Sequence, residues 1–356
     1  MKLLIQPEDG VAPLVVAIKR AKKSVDIVIF RFDRVEIEAG LKAAAKRGVS
    51  VSALIAYANH GGEKSLRKLE MRLLEAGVTV SRTAADLVRY HDKLLIIDRR
   101  ELYVLSFNFT HLDIDHSRGF GIVTRKHKVV QEALKLLAAD TDRTPYEAGL
   151  DSFVVSPENA RKQLLALIHR ARKQLLLYDP KITDPAMLRA LNERAKKGVS
   201  IRVIGALSKT SAHVHVRPLG GFRLHTRTIV RDGREAFVGS QSLRKAELDS
   251  RREVGVIVRE SKVVSGIVDT FEADWAAKVT AETAQATSKA IKKTLKDTVA
   301  KLSPLDPLVK EAVSDVVSKK GNAGLNAQEV KDTVEKAVKE AVRERVQEML
   351  NEAVET

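Results

Sequence analysis

Residues 90–98 read YHDKLLIID, and residues 224–232 read LHTRTIVRD. The second stretch repeats the first at an offset of 134 residues, because both have a histidine at the second position, a cation at the fourth and an aspartate at the last. In a strand, residues two apart lie on the same face, so the histidine and the cation project together while alternate apolar residues point into a core. The pair of stretches therefore predicts two equivalent strands, each presenting a histidine beside a cation.

The repeat extends over most of the chain. At an offset of 150 residues, RAKKSVDIVIF from Arg20 matches RARKQLLLYDP from Arg170, and KRGVSVSALI from Lys46 matches KKGVSIRVIG from Lys196. The offset falls to 134 after EKSLRKLEMRLLEAG, which begins at Glu63, has an amphipathic helical pattern and has no counterpart in the second half. A duplicated unit fixes the architecture, so we expect two similar halves with one extra helix in the first.

Each half alternates helical and strand patterns. Apolar-periodic helices are predicted from Val11 to Lys22 and from Pro157 to Arg172, the latter with Ser156 as its N-cap. Such alternation is typical of the α/β fold class. We expect two similar α/β lobes that face each other across a cleft, followed by a C-terminal helical tail, with bounds of 1–150, 151–278 and 279–356.

The net charge of +16 is unevenly distributed. Residues 281–356 contain 13 basic and 13 acidic residues, so the whole surplus lies on the two lobes. A basic surface attracts phosphates, whether of nucleic acid, anionic lipid headgroups or a soluble phosphodiester. The absence of cysteine from the sequence excludes disulfides, thiolate metal sites and a cysteine nucleophile.

The sequence predicts a cytoplasmic protein. No apolar run approaches the roughly 20 residues that cross a bilayer. In the start MKLLIQPEDG, only three consecutive apolar residues precede Gln6, Pro7 and two acidic residues, so the apolar core of a signal peptide is missing. Contact with a membrane is therefore expected only at its periphery, through the basic surface.

The tail carries a narrow apolar stripe at every fourth residue. Its members are Val330, Val334, Val338, Val342, Val346 and Leu350. The interpretations are a helical tail that folds back on the lobes or is loosely ordered, a coiled coil that mediates self-association and a helix on a membrane surface. Alternating charges and zero net charge favour a protein partner over anionic lipid.

The first motif has the composition of a phosphate pocket. Lys93 follows His91 on one strand face, and Ser106 and Asn108 bring hydroxyl and amide donors from the next strand. The cation and the donors would hold phosphate oxygens and the developing charge, and the histidine would supply a nucleophile or a proton. One such pair means little, but its recurrence in register is difficult to obtain by chance.

These residues resemble the phospholipase D superfamily, whose members carry two HxK(x)4D(x)6GSxN motifs. The resemblance extends to the FEADW sequence ending at Trp275 and leaves only the tail outside. It implies a duplicated fold in which two histidines meet between the lobes. One histidine attacks phosphorus to give a phosphohistidine and the other protonates the leaving alcohol, with no metal or other cofactor.

The resemblance also implies the candidate site, residue by residue. The catalytic set is His91, His225, Lys93, Arg227, Asp98, Asp232 and Glu253. The phosphate-binding set is Ser106, Asn108, Ser240 and Ser242. Within the first set the two histidines form the dyad and the two cations hold phosphate, whereas the two aspartates are more structural than chemical in this family.

The acid that orients a histidine distinguishes the two lobes. Glu253 stands where family members often have such an acid, and its first-lobe counterpart is Gly119. This asymmetry favours His91 as the nucleophile and His225 as the general acid, with Asp113 or Asp115 as candidates for the first lobe. Three positions depart from the family motif, namely Leu105 for glycine, Arg227 for lysine and Ser242 for asparagine.

The favoured activity is metal-independent hydrolysis of phospholipids, or exchange of their headgroups as in cardiolipin synthases. The alternatives are a nuclease or nucleic-acid phosphodiesterase, a second lobe whose motif only builds the fold, and a non-catalytic phosphate-binding scaffold. Aromatic residues make up only 4% of the chain, which gives no sign of a platform for stacking bases. Nucleic acid is therefore a less favoured partner than phospholipid.

Overall fold

The computed structural model describes residues 1–57, 63–209 and 212–277. The tail predicted over 279–356, with its apolar stripe, lies outside the described residues. Among the described residues, no helix is long and apolar enough to cross a membrane.

Within residues 1–57 and 63–150, the first lobe contains eight strands and five helices. Its strands are β1 (Lys2–Gln6), β2 (Ser24–Ile29), β3 (Ser50–Ile55), β4 (Thr79–Arg82), β5 (Arg89–Tyr90), β6 (Leu94–Ile97), β7 (Glu101–Leu105) and β8 (Ser117–Thr124). Its helices are α1 (Ala12–Arg20), α2 (Val35–Lys46), α3 (Glu63–Leu74), α4 (His111–Asp115) and α5 (His127–Asp142).

The described residues of the second lobe repeat this order without a helix equivalent to α3. Its strands are β9 (Phe153–Ser156), β10 (Gln174–Ile182), β11 (Ser200–Leu207), β12 (Val214–Arg217), β13 (Arg223–Leu224), β14 (Arg227–Arg231), β15 (Glu235–Gly239) and β16 (Arg251–Val258). Its helices are α6 (Ala160–His169), α7 (Pro185–Lys196), α8 (Lys245–Asp249) and α9 (Ser261–Ala276).

The two sheets have equivalent topologies. The first has the strand order β1-β8-β7-β6-β2-β3-β4, and the second has β12-β11-β10-β14-β15-β16 with β9 also paired to β16. In both, the strand that follows the motif histidine runs antiparallel to an earlier strand of the same lobe, β6 against β2 and β14 against β10. The predicted class of two similar α/β lobes is confirmed.

Apolar side chains fill three cores. One lies under α1, α2 and α3 of the first lobe, and a second lies under α6 and α7 of the second. The third core joins the lobes, and its aromatic rings include Phe120, Tyr178 and Phe271, which meet edge to face at centroid distances of 5.6 and 5.1 Å. This shared core fixes the lobes against each other and so fixes any site that they share.

Two short strands are exchanged between the lobes. β5 pairs in parallel with β16 of the second lobe, and β13 pairs in parallel with β8 of the first. Each exchanged strand ends at the residue before a motif histidine. The backbone N–H of His91 donates to the carbonyl of Arg252 at 2.8 Å, and that of His225 donates to the carbonyl of Arg118 at 3.2 Å. Both histidines are therefore held at the boundary between the lobes.

The predicted helix over Glu63 and the residues after it is confirmed as α3. The predicted start of the first helix in the second lobe is wrong. Ser156 is not an N-cap, because residues Phe153–Ser156 form β9 against β16, and α6 begins only at Ala160. Strand pairing across the lobe thus outweighs the local helix-start signal.

Candidate active site

His91 is held by an acid from the opposite lobe. Its imidazole is 7% exposed, and Nδ1 lies 2.8 Å from Oε2 of Glu253 on β16. The edge of the ring also meets Phe30, with the centroids 4.6 Å apart. Because Nδ1 is engaged with the carboxyl group, Nε2 is the nitrogen that remains for chemistry.

His225 has the reciprocal arrangement. Its Nε2 lies 2.7 Å from Oδ2 of Asp113 in the first lobe, and its Nδ1 lies 2.8 Å from Nη1 of Arg227. Asp113 also accepts hydrogen bonds from the backbone N–H and the Nδ2 amide of Asn108, at 2.8 and 2.7 Å. A further bond of 3.0 Å comes from Arg223. In this ring orientation Nδ1 faces the cation.

The first lobe therefore has an orienting acid, and it is Asp113 rather than Asp115. Asp115 instead pairs with Arg34 at 2.5 Å. The residue equivalent to Asp113 in the second lobe is Glu247, which accepts the backbone N–H of Ser242 at 2.7 Å. The two orienting acids thus occupy different positions of the repeat, Asp113 in α4 and Glu253 on β16.

Burial keeps both imidazoles neutral. Burial, followed by the charge of Lys93, lowers the pKa of His91 well below its usual value. Burial also lowers the pKa of His225 to about 3, although Asp113 acts in the opposite direction. Burial raises the pKa of Asp113, but His225 and Arg223 more than offset this and hold that pKa well below its usual range. His225 is thus a neutral ring that donates Nε2–H to a carboxylate.

The pKa of Glu253 is shifted in the opposite direction from that of Asp113. Burial, with the charge of Glu247 adding to it, raises the pKa of Glu253 to about 8. At pH 7 the protonated form of this carboxyl group therefore predominates. Because an ionised carboxylate accepts Nδ1–H and a protonated one donates to Nδ1, this residue sets which nitrogen of His91 carries a lone pair.

The two predicted phosphate cations are buried and tethered in the same way. Lys93 donates from Nζ to the carbonyl of His91, and Arg227 donates from Nη1 to the carbonyl of His225. Burial lowers the pKa of Lys93 to about 7. The Nε of Arg227 is buried and has no hydrogen-bond partner among the described residues. Buried N–H donors normally have a hydrogen-bond partner, so a bound anion would accept the hydrogen bond that this Nε–H can donate.

The four side chains predicted to bind phosphate make hydrogen bonds to other groups of the protein. Ser106 accepts the backbone N–H of Phe120 at 2.9 Å, and Ser240 accepts that of Val254 at 3.1 Å. Ser242 donates to Asp179 at 2.5 Å. The amide of Asn108, as described above, donates to the acid that orients a histidine. The structure gives these residues supporting contacts, so Lys93 and Arg227 are the remaining candidates for binding phosphate.

Asp98 and Asp232 do not lie in the site, which corrects their inclusion in the catalytic set. Each stands at the far end of its strand, roughly 20 Å of extended chain from the motif histidine. Asp98 accepts the backbone N–H groups of residues 22–24, the shortest at 2.6 Å, and Asp232 accepts those of residues 172–174, the shortest at 2.7 Å. Asp98 therefore holds the turn between α1 and β2, and Asp232 holds the turn between α6 and β10.

Asp98→Ala is expected to lower the free energy of unfolding by about 1–3 kcal/mol, because three backbone N–H groups lose a charged acceptor. The activity per folded molecule should stay unchanged. Urea unfolding and an assay corrected for the folded fraction would check this, with Asp232→Ala as the matched variant in the other lobe. Loss of activity from a fully folded variant would contradict it.

Two arginines beside the dyad were not predicted from the sequence. Arg89 and Arg223 stand two residues before His91 and His225, on the exchanged strands. The charge of Arg89 acts on His91, and Arg223 bonds to Asp113. Their equivalence at the 134-residue offset is the signal that could have identified them.

Comparisons with known proteins find a family profile and several relatives that match most of the two lobes. A profile of the family described as "Cardiolipin synthase, PLD-like domain" matches residues 14–141 and 164–275. The chain is 24% identical over 306 residues to polyphosphate kinase of Pseudomonas aeruginosa, an alignment that covers 76% of this chain and 44% of that one. It is 24% identical over 332 residues to cardiolipin synthase of Listeria innocua, covering 77% and 68% of the two chains.

Among solved structures, polyphosphate kinase from Porphyromonas gingivalis shares the fold. The TM-score is 0.64 at 19% identity, and the match covers 76% of this chain and 46% of that one. The chain spans about half the length of the curated polyphosphate kinases that it matches.

Proposed function

Because the chain belongs to the phospholipase D superfamily, through the family described as "Cardiolipin synthase, PLD-like domain", we propose that it cleaves phosphodiester bonds of phospholipids. The phosphatidyl group passes to water, giving phosphatidic acid, or to an alcohol, giving a new phospholipid. The observation that carries this proposal is the reciprocal pair of histidines, each oriented by an acid from the opposite lobe and each beside a cation.

In the first step, the Nε2 lone pair of His91 attacks phosphorus, and the bond to the headgroup oxygen breaks. A bound phosphate adds negative charge beside the imidazoles and so raises the pKa of His225. As Arg227 turns from Nδ1 to the phosphate, His225 takes up a proton from solvent and so carries one on each nitrogen. Asp113 holds the proton on Nε2, and the proton on Nδ1 is delivered to the leaving oxygen. The products are a neutral alcohol and a phosphohistidine.

In the second step, water or an alcohol attacks the phosphohistidine. His225, now with a free lone pair, takes the proton of the attacking hydroxyl group, and the N–P bond to His91 breaks. Lys93 and Arg227 stay beside the phosphoryl oxygens throughout and stabilise the charge that develops on them. His91 is then neutral again, and His225 releases its extra proton to solvent when the product leaves and the pKa of the ring falls.

The test is release of headgroups from vesicles of phosphatidylcholine, phosphatidylethanolamine and phosphatidylglycerol. We expect phosphatidic acid, or cardiolipin when phosphatidylglycerol is the acceptor, from the wild-type protein and not from His91→Ala. Identical traces from the two proteins would refute the lipid activity. Single-stranded DNA in the same panel tests the nuclease alternative, which cleavage of DNA alone would favour.

A second candidate is phosphoryl transfer involving inorganic polyphosphate. The observation in its favour is the arginine pair Arg89 and Arg223, which adds positive charge around the dyad beyond the two motif cations. The identity to polyphosphate kinases supports it as well. Conversion of ATP and polyphosphate to a longer polymer, with no action on vesicles, would favour this candidate over the lipid one.

The proposed mechanism predicts a narrow pH optimum. The substrate is a diester that releases p-nitrophenolate, which needs no proton from His225. Attack requires ionised Glu253, so kcat/KM should rise as pH approaches about 8, whereas binding requires protonated Lys93, so kcat/KM should fall as pH exceeds about 7. Together the two groups give a bell-shaped dependence of kcat/KM on pH, centred between pH 7 and 8. On either side kcat/KM falls about tenfold per pH unit. The profile is measured as kcat/KM because that ratio reports the free enzyme.

Two variants separate the limbs of this bell. Glu253→Gln accepts Nδ1–H at every pH, so the acid limb should disappear while the maximum falls. Lys93→Arg keeps its charge, so the alkaline limb should disappear, as in the second motif where Arg227 already stands. Acid and alkaline limbs that both persist in the two variants would show that other groups control the profile.

A further inference from the structure

Two buried arginines join the lobes through equivalent sets of contacts. Arg118 on β8 is 3% exposed, and its Nε and Nη2 bind Asp274 of α9 at 2.8 and 3.0 Å. Its Nη1 donates to the carbonyl of Gln6 at 2.9 Å and to Glu8 at 2.6 Å. Every nitrogen of this guanidinium group is engaged, and its acid Asp274 belongs to the other lobe.

Arg252 on β16 repeats these contacts. It is 5% exposed, and its Nε and Nη2 bind Asp140 of α5 at 3.1 and 3.0 Å. Its Nη1 donates to the carbonyl of Ser156 at 3.0 Å and to Glu158 at 2.7 Å. The two arginines and the two aspartates correspond at the 134-residue offset, and Glu8 corresponds to Glu158 at 150. We call each set a clasp, named after its arginine.

The backbone carbonyl of each clasp arginine also accepts a hydrogen bond from the backbone N–H of a motif histidine. The carbonyl of Arg252 accepts the N–H of His91 at 2.8 Å. The carbonyl of Arg118 accepts the N–H groups of His225 and Thr226 at 3.2 and 2.8 Å. The side chain fixes the arginine to the opposite lobe while the main chain of the same residue fixes the histidine. A displaced guanidinium group therefore moves the imidazole.

We infer that Arg252 and Arg118 are positioning residues with separate effects, Arg252 placing His91 for attack on phosphorus and Arg118 placing His225 for protonation of the leaving group. This inference rests on the proposed function. Buried ion pairs are weak evidence for stability, because desolvation offsets much of their attraction. Their geometric precision, in contrast, is directly relevant to a site in which reacting atoms must meet at close range.

The two clasps can be distinguished by the leaving group. A phosphodiester that releases p-nitrophenolate needs no proton donor, whereas the matched diester of an alkyl alcohol does. The measured quantity is kcat/KM, which covers the steps up to the phosphohistidine and leaves out its hydrolysis, in which His225 acts as a base. Four single variants are made. Arg118→Lys and Asp274→Asn each alter the Arg118 clasp, and Arg252→Lys and Asp140→Asn each alter the Arg252 clasp.

For the Arg118 clasp, we expect kcat/KM to fall about 10–100-fold on the alkyl diester and to change little on the p-nitrophenyl diester. For the Arg252 clasp, the same fall should occur on both substrates. Thermal unfolding of each variant supplies the control. The Asn variants keep the test available where a Lys variant fails to fold, because they alter only the acid.

Equal losses on both substrates from both clasps would overturn the inference, since that is the result of a purely structural role. Losses that follow only the folded fraction would overturn it as well. If the wild-type protein cleaves neither diester, the proposed function itself fails and the inference fails with it. If the wild type cleaves both diesters and the clasps do not differ, the inference alone fails.

Discussion

His91→Gln should abolish the phosphohistidine and reduce kcat/KM by about 10⁴-fold or more, because the side chain that forms the bond to phosphorus is gone. The glutamine amide can still bond to Glu253, so the fold and the opposite lobe should be undisturbed. The adduct is trapped by mixing the protein with a labelled phosphodiester and denaturing it in detergent at alkaline pH, where a phosphoramidate survives. The mass of the intact chain then reports the adduct.

His169→Gln is the matched control, since His169 is exposed at the end of α6. It should form the adduct as the wild type does. An adduct that persists in His91→Gln and disappears in His225→Gln would reverse the assignment of nucleophile and general acid. Activity that persists in both variants, with no adduct in either, would exclude covalent catalysis by the dyad.

The repeat made the centre of the site predictable. A histidine and a cation two residues apart on a strand face, found twice in register, identify His91, Lys93, His225 and Arg227 without any knowledge of the fold. The same offset could have identified Arg89 and Arg223 and the clasp arginines. Matching positions in a duplicated chain are constrained by the same pairings, so equivalence carries information that a single motif lacks.

The contacts between lobes were not predictable in the same way. Asp113 and Asp115 are two residues apart and chemically alike, and their difference arises from how α4 is placed. Thr110 caps this helix by accepting the N–H of Asp113, and the helix then points Asp113 at His225 while Asp115 reaches Arg34. Such a choice depends on the tertiary packing of the exchanged strands, which no local pattern encodes.

The short strands and the hydrogen bonds that support the site were also not predictable from the sequence. FVVS at residues 153–156 is too short to show a period, yet it pairs with β16 and delays the start of α6. The sequence likewise shows that Asn108 and Ser242 carry donors, but not that those donors are already engaged with Asp113 and Asp179. Residue type gives the capacity for a contact, and the fold decides the partner.

His225→Gln should have an effect that depends on the leaving group. On a diester of an alkyl alcohol, kcat/KM should fall about 10²–10⁴-fold, because the alkoxide must leave without a proton. On the p-nitrophenyl diester the fall should be much smaller, because that leaving group is stable as an anion. Adduct formation from the p-nitrophenyl substrate should persist, and its hydrolysis should slow because His225 is also the base for the attacking water.

Asp113→Asn tests the same step through the partner of His225. An amide cannot stabilise the doubly protonated ring as a carboxylate does, so the alkyl diester should again be affected more than the aryl diester, by a smaller factor than in His225→Gln. Asp115→Asn is the matched control, since Asp115 pairs with Arg34 outside the dyad. A loss of equal size on both diesters in His225→Gln would assign His225 to phosphate binding instead of proton transfer. Protonation of the leaving group would then have to come from another residue of the site, and Lys93, whose pKa burial lowers to about 7, would be the first to test.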